Sequence, residues 1–231
     1  INFLINTTPD AALRIIMDRQ TNDYITLNGS GTLHANWFNK GGIDIFGTYN
    51  VDHGIYKLTI QNIIKKVFNF AQGGTIVFGG NPMRAALNLS AVYPIASVTL
   101  SDLEIGRSFS SNNTRVNCLM NITGTPESPK VDFNLDFPSL DADAKQMILS
   151  RMNSEEQVNQ QVLYLLAVGR FYMQGANNAS EQGYNQTSLA MQSLLSGQIS
   201  QQINNVLGSL TKNNQWKFGA NISTGDEGWN N

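Results

Sequence analysis

The feature that most constrains this chain is a two-residue alternation of apolar and polar side chains that restarts repeatedly up to Phe137. It runs through Leu13, Ile15 and Met17, then Leu33, Ala35 and Trp37, then Ile43, Ile45, Tyr49 and Val51, then Tyr56, Leu58 and Ile60, then Phe68 and Phe70. It continues through Ile76 and Phe78, then Leu87, Leu89, Ala91 and Tyr93, then Val116, Cys118, Met120 and Ile122, and ends in Val131, Phe133, Leu135 and Phe137. Successive side chains of a strand point to opposite faces, so each run predicts a strand with one dry face and one wet face. About ten strands are expected, with alternation failing between Ala96 and Asn113. Asn28-Gly29, Gly41-Gly42, His53-Gly54, Gly73-Gly74, Gly79-Gly80-Asn81-Pro82 and Gly124-Thr125-Pro126 are the predicted turns. Connections this short leave no room for crossover helices, so successive strands should pair antiparallel as a meander. Ten strands stacked at ~4.8 Å make a sheet roughly 50 Å long, too long for one compact core, so it must curl, pair or form a trough.

After Phe137 the period changes to that of a helix. Ser139 or Asp141 can cap a helix from Ala142 to Met152, and Ser154 with Glu155 and Glu156 opens a second one that Gly169 ends. In the second helix Val158, Val162, Leu165 and Leu166 form one apolar stripe. A loop rich in Asn, Gln and Gly over 174–186 is expected to be flexible, and a third helix over 187–210 carries a stripe of Leu195, Ile199, Ile203 and Val206. Alternation resumes in Trp216, Phe218 and Ala220. The predicted organisation is a strand domain over 1–137, a helical segment over 138–212 and the start of a further strand region over 213–231. The fold class is therefore mainly β, an elongated antiparallel sheet with one apolar face followed by an amphipathic helical segment, with a curled, a paired and a trough-like sheet all open at this point.

Charge narrows the partners. The 15 Lys and Arg nearly cancel the 17 Asp and Glu, so no broad positive field exists to hold a phosphate backbone, and nucleic acid is not an expected partner. Polarity comes instead from uncharged amides, 28 of them Asn, a surface commoner in envelope and extracellular proteins. Between Ser154 and Gln215 the charged residues are Glu155, Glu156, Arg170, Glu181 and Lys212, a face better suited to docking on protein than on anionic lipid. No stretch reaches the ~20 apolar residues of a membrane span. The chain opens at Ile1 without an initiator Met, as expected of a piece of a longer protein whose membrane anchor lies outside it.

Catalytic signals are sparse. There is no nucleophile elbow, phosphate loop, dinucleotide fingerprint or zinc-binding helix motif, so no cofactor and no metal are expected. Cys118 excludes an internal disulfide, and His34 and His53 have no ligand-spaced partner. Asp141 and Asp143 stand at a helix start, where capping accounts for them. A glycan-cleaving solenoid is disfavoured because acids, bases and metal ligands do not cluster.

What remains is the apolar face itself. Its candidate positions are Ile43, Ile45, Tyr49, Val51, Tyr56, Leu58, Ile60, Phe68, Phe70, Ile76, Phe78, Leu87, Leu89, Tyr93, Val116, Met120, Val131, Phe133 and Leu135. An ordinary closed core would keep them dry. The alternative is a trough whose shield is partly acyl chains, each buried methylene contributing about 0.8 kcal/mol. Val158, Val162 and Leu165, with Leu195, Ile199, Ile203 and Val206, are the candidate partner-docking positions.

The segment from Gly47 to Tyr93 resembles the C-terminal domain of the TamB family, with Gly47, Tyr49, Tyr56, Phe68, Phe70, Gly74, Ile76, Phe78, Gly79, Pro82, Leu87, Leu89 and Ala91 at the corresponding places. Gly124, Pro126, Pro129 and Pro138, leading into Leu165, Gly169 and Arg170, form a second matching block. The Asn- and Gln-rich stretch after Arg170 is similar to the variant of Bacteroidetes-type envelopes, and Met83-Arg84 departs from a second Pro usual there. The resemblance implies an inner-membrane-anchored periplasmic protein, part of the cell envelope, whose β-taco trough reaches the outer membrane. It implies a non-enzymatic role in moving phospholipid between the membranes, or in outer-membrane protein assembly, beside a TamA-like outer-membrane β-barrel.

Overall fold

The computed structural model describes residues 1–18, 22–38, 41–60, 64–105 and 112–172. The predicted loop over 174–186, the third helix with Leu195, Ile199, Ile203 and Val206, and the strand near Trp216 lie outside the described residues. Nine strands form one antiparallel sheet: β1 (Asn2–Thr7), β2 (Ala12–Asp18), β3 (Asp23–Trp37), β4 (Ile43–Ile60), β5 (Ile64–Phe70), β6 (Thr75–Gly80), β7 (Ala86–Thr99), β8 (Asn113–Gly124) and β9 (Pro129–Asp136). Helices α1 (Ala142–Leu149) and α2 (Glu155–Val168) follow. The architecture is the mainly β trough with a helical segment after it.

A simple meander is not what forms. β3 and β4 have 15 and 18 residues, so two short strands share each outer edge of this long pair. β1 pairs with the second half of β3 and β2 with the first half. β6 pairs with the first half of β4 and β5 with the second, while β7 bridges β6 and β5. The sheet is thus seven strand positions wide, roughly 30 Å at ~4.8 Å spacing, rather than the longer ribbon a meander would make.

Asn28-Gly29 and His53-Gly54, predicted as turns, are inside β3 and β4, where the ladder shifts register between Asn28 and Gly29. A bulge bends the strand that carries it, which lets one long pair serve both halves of the trough. Glycine is required there by close approach. A Cβ on Gly29 would stand 2.2 Å from the Asn50 carbonyl oxygen and 2.8 Å from the Tyr49 ring. Tyr49 instead lies across that gap and its hydroxyl donates to the Leu27 carbonyl at 3.2 Å. The failure of alternation after Ile95 has the same origin, a register shift between Ile95 and Val98 followed by a tight helical turn at Ser101–Leu103.

One face of the sheet packs on itself. Ile25 and Leu27 of β3, Tyr56 and Leu58 of β4, Phe68 of β5, and Val116, Cys118 and Met120 of β8 belong to a single buried cluster. A lone flat sheet cannot keep its own face dry, so this shared burial is the signature of curling. Burial pushes the Cys118 thiol up to about 12, the Tyr49 phenol up to about 12, and the Tyr56 phenol up as well, Asp23 adding to the last. Each group keeps its proton to higher pH when folded, so the stability they contribute is complete below the ordinary thiol and phenol values and falls as pH rises through them. Denaturation midpoints should be flat to about pH 9 and decline above it, and a maleimide reagent should label Cys118 at pH 8 only after denaturant is added.

The helices start and stop where local chemistry directs. The Asp141 carboxylate accepts from the Ala144 N–H at 2.8 Å and the Ser154 hydroxyl accepts from the Gln157 N–H at 3.2 Å, the caps the sequence offered. Gly169 closes α2 in the left-handed region at φ 75°. α1 ends at Leu149 rather than Met152, because Arg151 and Met152 turn back onto the carbonyls of Ile148 and Leu149.

Candidate functional site

The sheet registers fix which side chains share the inner face, because residues directly opposite in an antiparallel pair point the same way. Tyr56 faces Phe68, Tyr49 faces Ile76, Ile76 faces Leu87, Met120 faces Phe133 and Ile122 faces Val131. Every apolar-face candidate from Ile43 to Leu135 is buried or half-buried in these ladders. They divide by depth. Tyr49, Val51, Tyr56, Leu58, Ile60, Phe68, Phe70, Ile76, Leu89, Val116, Met120, Val131, Phe133 and Leu135 are buried, with Phe68 at 0% exposure. Ile43, Ile45, Phe78, Leu87 and Tyr93 are half-buried.

The two ends of the face differ. At one end α2 lies against β9 and β5, and its Val162, Leu163, Leu165 and Leu166 join the sheet's own cluster together with Ile148 and Phe171. Val158 packs beside them. The helix stripe is therefore occupied within the chain, and a partner reaching Val158, Val162 or Leu165 would have to lift the helix. At the other end the inner face continues onto β1, since Phe3 faces Ala35 and Ile5 faces Leu33. There Phe3 is 50% exposed, Ile5 40% and Trp37 48%. The inner face is closed under the helix and open at the β1 end.

A charged contact fastens the helical cover. Arg170, just past the α2 cap, donates from Nε and from an Nη to the two carboxylate oxygens of Asp102 at 3.0 and 2.8 Å. Asp102 is buried in the turn between β7 and β8, and its carboxylate raises the Arg170 guanidinium above its ordinary value. Gln161 adds a paired contact, donating to the Tyr172 carbonyl at 2.9 Å and accepting from the Tyr172 N–H at 2.8 Å. Removing the guanidinium strands a buried carboxylate, so Arg170→Gln should cost about 1–3 kcal/mol. The check is a thermal melt, expected to fall by about 2–4 °C per kcal/mol for a chain of this size.

Two charged residues occupy inward positions that alternation among apolar side chains did not single out. Asp23 is buried, its Oδ2 accepting from the Thr59 N–H at 2.7 Å and its Oδ1 without a partner among the described residues. Lys66 faces Leu58 across the β4–β5 ladder. The sequence period of Ile64, Phe68 and Phe70 contains Lys66, so its inward position was recoverable from strand phase. His34 is exposed, and the His53 ring sits 2.7 Å from the carboxylate of its neighbour Asp52, a partner that ligand spacing alone had not suggested. Among the described residues no three His, Cys, Asp or Glu side chains gather to hold a metal ion. A cavity of about 190 Å³ is lined by Asp102, Leu103, Glu104, Arg151, Met152 and Gln161, so two side chains of the core cluster form part of its wall.

A single curled antiparallel sheet, apolar along one face and covered at one end by a latched helix, defines a mainly β trough protein. No curated protein matches the chain. The family model of the TamB C-terminal domain matches residues 1–229, and the chain belongs to that family. Membership points to a role in the envelope translocation and assembly module, whose TamB proteins as a family work with TamA. No helix among the described residues is long and apolar enough to cross a membrane.

Proposed function

We propose that this chain shields phospholipid acyl chains against its apolar inner face during transfer between the inner and outer membranes, and docks on a TamA-like outer-membrane barrel. The observation that carries this reading is the open end, where Phe3, Ile5 and Trp37 extend the dry face into water. An exposed patch of large apolar side chains on one sheet face marks a surface that something apolar covers. An acyl chain laid there would gain about 0.8 kcal/mol per buried methylene, with its headgroup left in water. Such transfer makes and breaks no bond. The periplasm near the outer membrane is the compartment in which this chemistry is useful, with an inner-membrane anchor carried by other parts of the protein.

A specific observation favours a second reading. Leu27, Tyr56 and Phe68 are at most 1% exposed, so the middle of the face is already filled by the chain's own side chains. On that reading the chain is an assembly module for outer-membrane proteins, with a closed core and no lipid conduction. A photo-crosslinking amino acid at Phe3, compared with one at Leu4, separates the two. Phe3 points inward opposite Ala35 while Leu4 points outward opposite His34. Phospholipid adducts at Phe3 and not at Leu4, in protein isolated from membranes, are expected. Folded protein without lipid adducts at either position would move the function to assembly alone.

A further inference from the structure

Tyr24, on the outer face of β3, is flanked by two cations. The Arg14 guanidinium carbon lies 4.1 Å from its ring centroid and the Lys57 ammonium 5.9 Å from it. Ile25 and Tyr56, their neighbours in sequence, are buried and directly opposite each other on the inner face, so alternation turns Tyr24 and Lys57 outward. The ladders extend the patch. Arg14 faces Thr26, Lys57 faces Val67 and Lys65 faces Thr59, so these cations cover the four adjacent strands β2 to β5. Arg14 and Lys65 are exposed, Tyr24 and Lys57 are half-buried, and Val67 is 45% exposed. The helical cover packs on the opposite face and leaves this one open to solvent.

None of these three cations has a carboxylate at ion-pair distance among the described residues, whereas Arg84, Lys130, Lys145 and Arg170 each do. The excess is local, since the whole chain carries 15 Lys and Arg against 17 Asp and Glu. Two cations held on one ring repel each other, and an anion laid over both relieves that repulsion. The patch spans four strands of an open sheet face, roughly 15 Å at ~4.8 Å spacing. Charges spread that far suit many small mobile anions better than one rigid ligand, because headgroups that diffuse laterally can gather under fixed cations. The Tyr24 ring and the exposed Val67 add the shallow aromatic and apolar contacts that a membrane interface accepts. We infer that the outer face around Arg14, Tyr24, Lys57 and Lys65 docks on the anionic headgroup surface of a phospholipid bilayer. The open β1 end, with Phe3 and Ile5, belongs to the opposite face, so docking neither requires acyl shielding nor supplies it.

The test is co-sedimentation of the full chain with phosphatidylcholine vesicles made with or without phosphatidylglycerol, at low and high salt. Tighter association with the anionic vesicles is expected, and high salt should remove it by screening exposed charges. A cation near such a surface strengthens partition about fivefold, so Arg14→Gln, Lys57→Gln and Lys65→Gln should each lose that factor and the triple variant about a hundredfold. Arg14→Lys keeps the charge and should stay within about twofold of wild type. Arg84→Gln removes a cation that Glu127 pairs, and should leave binding unchanged. Melting curves check that each variant folds. Wild-type protein that binds both vesicle types equally, or neither, would overturn the docking face; equal binding would place association at the open apolar end instead. A loss in Arg84→Gln as large as that in Lys57→Gln would reduce the effect to net charge and overturn it too. Binding of a soluble oligoglutamate peptide that Lys57→Gln weakens, without any preference for anionic vesicles, would overturn the bilayer in favour of an acidic protein segment.

Discussion

Phe68→Asp is expected to abolish the folded state, whereas Phe3→Asp should fold normally and lose lipid capture. Both side chains belong to the same apolar face, and depth separates them. Phe68 is fully buried between Tyr56 on β4 and Tyr93 on β7. Deleting a buried phenyl ring costs about 3–5 kcal/mol, and placing an unpaired carboxylate there adds several more. The sum reaches the ~5–15 kcal/mol by which a domain is stable at all. Leu89, 5% exposed, belongs with Phe68. At Phe3 half the ring is already in water, so a carboxylate there keeps its solvation. A methylene chain laid along Ala35 and Trp37 would strip water from that carboxylate, and the lost solvation opposes capture. Lys57→Asp, on the outward face beside Tyr24, should affect neither property strongly. Circular dichroism separates the folding effect and lipid extraction the binding effect. Folded, lipid-bearing Phe3→Asp would argue that the open end is not where acyl chains lie.

The second large effect is expected at a residue with no side chain. Gly29→Ala should destabilise the protein by about 3 kcal/mol or more, because the new methyl group meets a backbone carbonyl of β4 that cannot rotate away. The same methyl group displaces the Tyr49 ring and so also loses its hydrogen bond to Leu27. For a chain of this size that corresponds to a drop in melting temperature of about 6–12 °C. Gly79→Ala is the control, since a Cβ there meets nothing within 4 Å. If the two variants melt alike, the close approach of β3 to β4 does not limit stability.

Side-chain period makes the apolar face legible in the sequence, since alternation depends on the strand geometry alone. Tyr56, Phe68, Met120 and Phe133 could be placed on one face by counting in twos. The caps at Asp141, Ser154 and Gly169 were equally readable, because a cap is a contact between residues three or four apart. Pairing was not. Asn28-Gly29 and His53-Gly54 have the composition of turns, and only the approach of another strand distinguishes a glycine inside a ladder from a turn glycine. The positions of β1 and β2, end to end along β3, depend on the length of β3, and its first half through Ile25 and Leu27 lay outside the alternating runs singled out. Lys66 was hidden for a different reason: apolar counting skips a charged residue even when its neighbours in the same phase point inward. The Arg170–Asp102 contact joins residues 68 apart, a separation at which local pattern carries no information.

The lengths of β3 and β4 also imply an order of assembly. They form a hairpin closed by a short connection, so most of its ladder can zip without first closing a large loop. β1, β2, β5 and β6 each need that ladder as a template, and β7 needs the strands templated on it. The Arg170–Asp102 contact closes a far longer loop and brings in the helical cover, which should make it a late step. Pulsed hydrogen exchange during refolding should protect the β3–β4 amides first and those of α2 last. The refolding chain would then expose its apolar face until the helix is seated, an interval in which aggregation competes with folding.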